Sequence, residues 1–547
     1  MYKLIKPLIK TNIVAILCIF TLQFISSAIS MFTPYLNGAF IDYLISVSIV
    51  NKLFKFISLI IILSISNIFI SYIYKILVLK TKNHMSFKLN ISIIKHLEQI
   101  PIEVYEKFNP TYLNQRVKGD SETIVAFWID NIFSIILNSL SILFMLALLY
   151  SVNKILFIIV LIFIPVYCII YFVMHKPLYY RNLKAVEIAN KYFGQLNDMY
   201  IRNREIKVKV DFDKVEEKLK KDFSNFFYEL LKYSKLSFIF SASDGIISVF
   251  FQSVVFLIGG SQVISKEMTI GQFTIMNTYF NMILNTTKYY FSLGQTYQSL
   301  KVSVDRINEI LNLEKEINGD YKINVINGLA LKEVNYKYKD KNVFNKNINL
   351  EIKKPGIYAF IGKNGAGKTT LINSIIGINN FGLSGNVEFN GISSERINMY
   401  LLRKDNISVM MQGENTPSVL VNEYIFEYIH KDVFDKKINK EYFNRIFVSK
   451  LFDIYSVFDK KIDNLSSGEK QMVLLLITLF KDADVYILDE PTSNIHSTLG
   501  QAVMKTLKHF KNNNKIMIII SHDREMEEIF DDRLELNIAD NNVLQKR

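Results

Sequence analysis

The sequence predicts a multidomain chain: an all-α six-helix transmembrane domain followed by an α/β domain built around a phosphate-binding loop. Three observations predict it. At 547 residues the chain exceeds what one hydrophobic core usually supports. Nearly all of its long apolar runs lie before about residue 300. After them, short β-rich segments alternate with helical ones, and a glycine-rich loop joins one strand to the next helix.

Six stretches have the length and apolarity to cross a hydrocarbon layer of roughly 30 Å, which needs about 20 helical residues. They fall near 13–35, 56–78, 126–150, 155–174, 236–262 and 272–297. The last is the weakest, because NTYFNMILNTTKYYF is only half apolar. A buried soluble helix would explain any one of them but not six in succession. The first is too long, and lacks the small-residue cleavage site, for a removed signal peptide.

Half the residues are hydrophobic, yet the net charge is +13. Its placement argues against a nucleic-acid partner. Lys and Arg crowd two long connections, about 80–125 and 176–235, while the other connections are short and carry few. By the positive-inside rule these connections, both termini and the C-terminal half are expected to be cytoplasmic. A multi-pass protein with the lipid bilayer as its partner, expected in the cell (plasma) membrane, follows from the six spans. The two cysteines, Cys18 and Cys168, lie in expected spans and offer neither a disulfide framework nor metal-ligand spacing.

Both long connections keep apolar residues at three- and four-residue intervals, as in TKNHMSFKLNISIIKHLEQI and KVEEKLKKDFSNFFYELLKYSKL, so the helices of the spans are expected to continue into them. After VSVDRINEILNLEKEINGDYK the order LALKEVNYKY, NINLEI, GIYAFI, a helix from Lys368 and a strand at NVEF is that of an α/β domain with a small antiparallel flank. The expected division is a transmembrane domain over 1–312, a linker over 313–325 and an α/β domain over 326–547.

Residues Gly362 to Thr369 read G-x-x-x-x-G-K-T between a strand and a helix. Glycines there let backbone N–H groups turn inward around phosphate oxygens, Lys368 supplies a cation, and the Thr369 hydroxyl suits magnesium. A plain glycine turn is the alternative, and the Lys and Thr in that context argue against it. VYILDE is an apolar strand ending in acids: Asp489 would hold magnesium through water, and Glu490 would orient or deprotonate an attacking water. The strand IMIIISHD ends at His522, placed to reach a γ-phosphate, although a lone histidine at a strand end is usually structural.

Together these motifs resemble the ATP-binding cassette (ABC) transporters of the exporter type, as a half-transporter with one membrane domain fused to one P-loop NTPase domain. The resemblance covers essentially the whole chain and is strongest over 330–525. It implies ATP and Mg2+ as cofactors, and ATP hydrolysis coupled to transport. GKNGAGKTT is its Walker A loop, giving Gly362, Lys363, Asn364, Gly365, Ala366, Gly367, Lys368, Thr369 and Thr370 as ATP-binding residues. VYILDE is Walker B, and Gln412 in VMMQGEN is the Q-loop residue, an ATP and metal contact. His522 is the switch histidine, catalytic with Glu490, and Tyr338 in VNYKYKD matches the aromatic that stacks on adenine. A surface tyrosine on a hairpin is the plain alternative for Tyr338. In the membrane half, TPYLNGAFIDYL, TIGQFTIMNTYF and SVDRINEIL also resemble exporter sequence.

NLSSGEKQ occupies the position of the family's signature motif, usually Leu-Ser-Gly-Gly-Gln. The resemblance implies that Ser466, Ser467, Gly468 and Glu469 contact the γ-phosphate of ATP held by an opposing subunit, so the working unit is a dimer. Four departures bear on that reading. Ser467 and Glu469 replace a glycine and the glutamine, His496 stands at the D-loop aspartate position, and VFDKKIDN lacks the glycines of the exporter loop before the signature. The fourth is Ile477, where an Arg is common, with a change of packing alone as the plain alternative. The partner is then either a second copy of this chain or a second ABC half-transporter.

The expected function is ATP-driven export of a hydrophobic or amphipathic substrate, whether small peptide, drug-like compound or lipid. Two other classes are weighed. A non-hydrolysing or asymmetric regulatory subunit would not need Lys368, Asp489, Glu490 and His522 together, and a soluble cassette ATPase acting on nucleic acid would not need six spans. TYLNQRVKGDS and FGQLNDMYIRN are the expected coupling elements, with cytoplasmic packing as the alternative. Asp130 and Asp244 are the main charges in the spans and mark a candidate substrate cavity. No peptidase domain precedes the first span, so a peptide cargo is expected to lose any leader elsewhere.

Overall fold

The computed structural model describes residues 2–46, 50–108, 113–114, 116–338, 341–363, 365–379, 382–413, 416–428, 452–493, 495–511, 515–521 and 524–536. Internal contacts divide the chain into two compact units. One comprises Met1–Lys95 and Pro110–Asn312, the other His96–Asn109 and Leu313–Arg547.

The first unit is helical. A ten-residue amphipathic helix, α1 (Tyr2–Thr11), leads into α2 (Ile13–Ser46) and α3 (Val50–Leu97). The short α4 (Ile102–Tyr105) belongs to the second unit. A π-helical turn at Arg116–Asp120 then opens α5 (Ser121–Val152), followed by α6 (Lys154–Ile201), α7 (Asn203–Lys209), α8 (Phe212–Ile264) and α9 (Ile270–Leu311). At 1.5 Å per residue a helix as long as α8 spans about 80 Å, more than twice the hydrocarbon thickness. The expected cytoplasmic extensions of the spans are therefore continuous helix.

Among the described residues, five helical stretches are long and apolar enough to cross a membrane: Ile13–Ile45, Leu53–Leu97, Arg116–Val152, Phe157–Ile201 and Phe212–Ile264. The sixth expected span forms the single helix α9, but that helix falls short of the same apolarity. Its Asn, Thr and Tyr residues dilute the run, and it packs along α2 and α5.

The two exporter-like sequences in this unit meet at one close crossing. A Cβ at Gly271 would collide with the Gly38 carbonyl, and one at Gly38 with Gly271 and Ile275, so only glycine lets α2 and α9 approach this closely. Asp42 then caps α9 from the other helix. Its carboxylate accepts from the Gly271 N–H at 2.7 Å and from the Thr269 hydroxyl at 2.6 Å. Thr269 completes a reciprocal capping box with Gln272.

The second unit holds two sheets. β1 (Leu329–Tyr338), β2 (Lys341–Asn342), β3 (Ile348–Ile352), β5 (Leu383–Phe389) and β6 (Ile392–Ser393) form the antiparallel one. The other is parallel throughout, in the order β10-β4-β9-β8-β7, with β4 Gly356–Gly362, β7 Ile407–Met410, β8 Val485–Asp489, β9 Ile516–Ile520 and β10 Asp532–Leu536.

Strand alternation explains why β9, and β8 up to Leu488, carry no charged residue. Val485, Ile487, Ile516, Ile518 and Ile520 join the core that contains α10 (Lys368–Ile375) and the antiparallel sheet. Tyr486, Leu488, Met517 and Ile519 join the core on the opposite face, with α12 (Val421–Tyr428), α13 (Ser467–Phe480) and α14 (Ser497–Lys511). A parallel sheet covered on both faces leaves no solvent face for polar residues. α11 (Met399–Asp405) precedes β7 and is capped by the Asn398 side chain.

Candidate active site

The parallel sheet brings the separated motifs together. Phe360 of β4 pairs with Ile520 of β9, and Ile520 with Asp489 of β8. The loop after β4, the end of β9 and the acids after β8 therefore emerge in one row at the C-terminal edge of the sheet, where open α/β sheets bind ligands.

In the loop, Gly365 and Gly367 have φ of +83° and +89°. At Gly367 a side chain would also strike Val343 and Phe344, which packs the loop against the hairpin carrying Tyr338. The Gly365 Cβ position is open, leaving backbone exposed to a ligand. Lys368 Nζ donates to the carbonyls of Gly362 at 2.6 Å and Lys363 at 3.3 Å, so the ammonium lies inside the curl of the loop. Burial pushes its pKa down, and the nearby Glu490 and Asp489 carboxylates oppose that shift. Thr369 and Thr370 follow in the first turn of α10. Asn364 lies outside the described residues.

Asp489 is buried at the tip of β8. Glu490, the next residue, adopts φ +50°, a left-handed conformation that costs a non-glycine residue about 1–2 kcal/mol. Three contacts hold it there. Its N–H donates to Ile520 O at 2.8 Å, Gln412 Nε2 donates to its Oε2 at 2.7 Å, and Gln471 Nε2 donates to its carbonyl at 2.9 Å. Gln471 ends the NLSSGEKQ sequence, so the signature helix is tied to the acid of its own site. Sequence reading missed this role, because a bond from a helix to the end of a distant strand has no local period. Thr369 and Asp489, with Gln412 beside them, present a hydroxyl, a buried carboxylate and an amide, a hard oxygen donor set that fits magnesium. His522 lies outside the described residues.

The signature turn is a helix cap. Ser466 is the N-cap of α13 and forms a capping box with Glu469. The Glu469 carboxylate accepts from the Ser466 N–H at 2.8 Å and from its hydroxyl at 2.9 Å, and Lys460 approaches its other oxygen at 3.3 Å. These bonds, the Ser466 N–H first, hold the Glu469 pKa below its ordinary value. Ser467 and Gly468 occupy the first turn. His496 caps α14 as well: its carbonyl accepts from Leu499 and Gly500, and its Nδ1 lies 3.1 Å from the Thr498 hydroxyl. Tyr338, at the end of β1, is 54% exposed.

The segment docked in the nucleotide unit is 96–109, upstream of TYLNQRVKGDS, parts of which lie outside the described residues. Within that unit Ile102 N donates to Ile378 O at 3.3 Å, Glu316 N donates to Gln99 O at 2.7 Å, and the Tyr336 hydroxyl donates to Glu103. Burial and this carboxylate both raise the Tyr336 pKa. FGQLNDMYIRN runs from the last turns of α6 to the first residue of α7, and its Gln195, Asp198, Met199 and Arg202 line, with Glu205 and Lys209 among others, a small cavity of about 140 Å³. In the spans, Asp130 is paired with Lys82 at 2.7 Å, so this acid is neutralised locally. Asp244 lies within α8, and its side chain is outside the described residues.

Residues 16–287 match the family described as the ABC transporter transmembrane region, and residues 345–493 the family described as ABC transporter. A putative ABC transporter ATP-binding protein of Clostridium acetobutylicum is 30% identical over 214 residues, covering 38% of this chain and 75% of that protein. This chain belongs to the ABC transporter family. Across both units the ABC chain shares the fold of a solved bacterial Atm1-family ABC exporter with ATP bound. The TM-score is 0.80 at 13% identity, over 97% of this chain and 95% of that one. A lactococcin-A transport/processing ATP-binding protein of Lactococcus lactis is 23% identical over 453 residues, 80% of this ABC chain. The chain spans 61% of that relative's length.

Proposed function

We propose that this chain is half of an ATP-hydrolysing exporter that works as a homodimer in the plasma membrane, with its termini and nucleotide units in the cytoplasm. The observation that carries the reading is the Gln412–Glu490 hydrogen bond at 2.7 Å, set beside the Lys368 loop on one sheet edge. It supplies a carboxylate held in a fixed orientation where a phosphoryl group would sit.

The backbone N–H groups of Gly365 to Lys368 and the Lys368 ammonium bind the ATP phosphates, and Tyr338 stacks on adenine. A magnesium ion held by Thr369, Asp489 and Gln412 supplies charge neutralisation at the phosphate oxygens when bound. Glu490 orients water for attack on the γ-phosphate and accepts its proton, while Gln412 and Gln471 fix Glu490 from two sides. Ser466 and the N-terminus of α13 meet the partner's γ-phosphate, so ATP draws two nucleotide units together. The docked 96–109 segment, through Glu103 and Tyr336, conveys that closure to the spans.

The cargo is an amphipathic peptide. This reading rests on the similarity to the lactococcin-A transport/processing protein, and on a membrane unit whose acid Asp130 is neutralised by Lys82. Inside-out vesicles containing the purified protein should take up a fluorescent amphipathic peptide with ATP and not with a non-hydrolysable analogue. Equal uptake with both would overturn ATP-driven export. Uptake absent for the peptide but present for a lipid or dye would replace the cargo. A protein complex of twice the 63.6 kDa chain mass supports the homodimer.

A further inference from the structure

α6 and α8 pack side by side and meet, just below their apolar segments, in a cluster of one acid and three cations. Glu229 is buried, with its side chain 8% exposed. Arg181 approaches it at 3.6 Å, Lys184 at 3.4 Å and Lys232 at 3.4 Å. One carboxylate cannot neutralise three cations, and the cluster keeps a net charge of about +2. The contacts are long for charge-assisted hydrogen bonds, which centre near 2.7–2.9 Å. All three cations also remain between about a third and a half exposed, leaving N–H donors that Glu229 does not use.

Their height is set by the helices. The apolar run of α6 ends at Met174 and that of α8 begins at Leu236. At 1.5 Å per residue, Lys232, Arg181 and Lys184 lie roughly 6, 10 and 15 Å beyond those ends, so Lys232 and Arg181 reach the headgroup layer and Lys184 approaches it from the water side. A headgroup layer occupies about 5–8 Å outside the hydrocarbon on each side, within reach of long basic side chains. Tyr180 and Tyr228 are exposed at the same level, and Lys232 sits 4.0 Å from the Tyr228 ring centroid. Tyrosines at that depth are characteristic of the membrane interface.

We propose that Arg181, Lys184 and Lys232, organised around Glu229, form a binding site for the phosphate headgroup of an anionic phospholipid in the cytoplasmic leaflet. Basic pockets between helices at this level bind such headgroups. The proposal rests on the membrane reading above, and its test reads lipid binding rather than transport or hydrolysis.

The full chain, purified in neutral detergent, is titrated with phosphatidylglycerol or phosphatidylcholine and bound lipid is counted by native mass spectrometry. Phosphatidylglycerol should bind the tighter, and the advantage should shrink as salt is raised. Arg181→Gln/Lys184→Gln/Lys232→Gln should lose it by on the order of a hundredfold, from roughly fivefold per cation. Glu229→Gln should strengthen phosphatidylglycerol binding, because it removes the only opposing charge. If the triple variant does not fold, Lys184→Gln against Lys184→Arg reads the same charge effect, with binding weakened roughly fivefold in the first and kept in the second. Equal binding of the two lipids, or full binding by the neutralised variants, would reduce the cluster to an ion-pair network between helices. Displacement of the lipid by inorganic phosphate at comparable concentration would assign the site to a soluble anion and overturn the lipid assignment.

Discussion

Replacing Glu469 by Gln should make the transporter more responsive to ATP while slightly weakening helix α13. The Ser466 hydroxyl now donates to the Glu469 carboxylate at 2.9 Å, and that bond must be released before the hydroxyl can face a phosphate. A hydrogen bond to a charged acceptor contributes about 1.5–3 kcal/mol, against about 0.5–1.5 kcal/mol for a neutral one. Gln preserves the capping-box geometry with a neutral acceptor, so the release becomes cheaper by about 1 kcal/mol. The ATP concentration giving half-maximal hydrolysis should therefore fall by roughly fivefold. Loss of a negative charge at the α13 N-terminus should cost about 0.3–1 kcal/mol, read as a lower melting temperature of the detergent-purified protein. In a Ser466→Ala background the gain in ATP response should vanish, since the two residues act through one bond. An unchanged or raised half-maximal ATP concentration in Glu469→Gln would refute the competition between Glu469 and phosphate.

Glu103→Gln and Tyr336→Phe should each lower cargo-stimulated hydrolysis and leave basal hydrolysis intact. The double variant should be no worse than either, and additive losses would show that the bond does not link the segment to β1. Gly271→Val forces a side chain into the Gly38 carbonyl and should destabilise the membrane unit by about 1–3 kcal/mol, whereas a melting temperature equal to wild type would contradict the close crossing. Because the folded-state pKa of Glu469 is depressed, its cap contribution is present above the ordinary carboxylate pKa and is lost as pH falls through the folded value. Acid melting curves should therefore converge for wild type and Glu469→Gln at low pH, and a constant gap down to the lowest pH would contradict the charged cap. Tyr338→Ala should weaken ATP binding by about 1–3 kcal/mol and Tyr338→Trp should restore it, if a base stacks on that ring.

The sequence made the nucleotide unit legible because its chemistry lies in short, ordered motifs. G-x-x-x-x-G-K-T needs a strand before it and a helix after it, and β4 and α10 provide them. The period-2 alternation hidden in VYIL and IMIII could be read only as buried strand, and the two cores show why neither face could be polar. Pairings between distant residues were not legible. Asp130 meets Lys82 across 48 positions, and Gln471 meets Glu490 through the end of a strand, with no spacing rule to foretell either. The exporter-like TPYLNGAFIDYL and TIGQFTIMNTYF stood out as patterns, but the reason, a glycine crossing capped by Asp42, needed both helices in place. Residues 96–109 group with the nucleotide unit, which was not legible because IPIEVYE carries no helical period.

The measurement that bears most directly on the central claim is ATP hydrolysis by the purified full chain in proteoliposomes, wild type beside Glu490→Gln. Wild type should hydrolyse ATP steadily. Glu490→Gln should be slower by at least about a hundredfold with ATP binding retained, as the proposed roles of Glu490 in orienting water and taking its proton, and of the Lys368 loop in holding the nucleotide, require. Equal rates in the two proteins would contradict those roles.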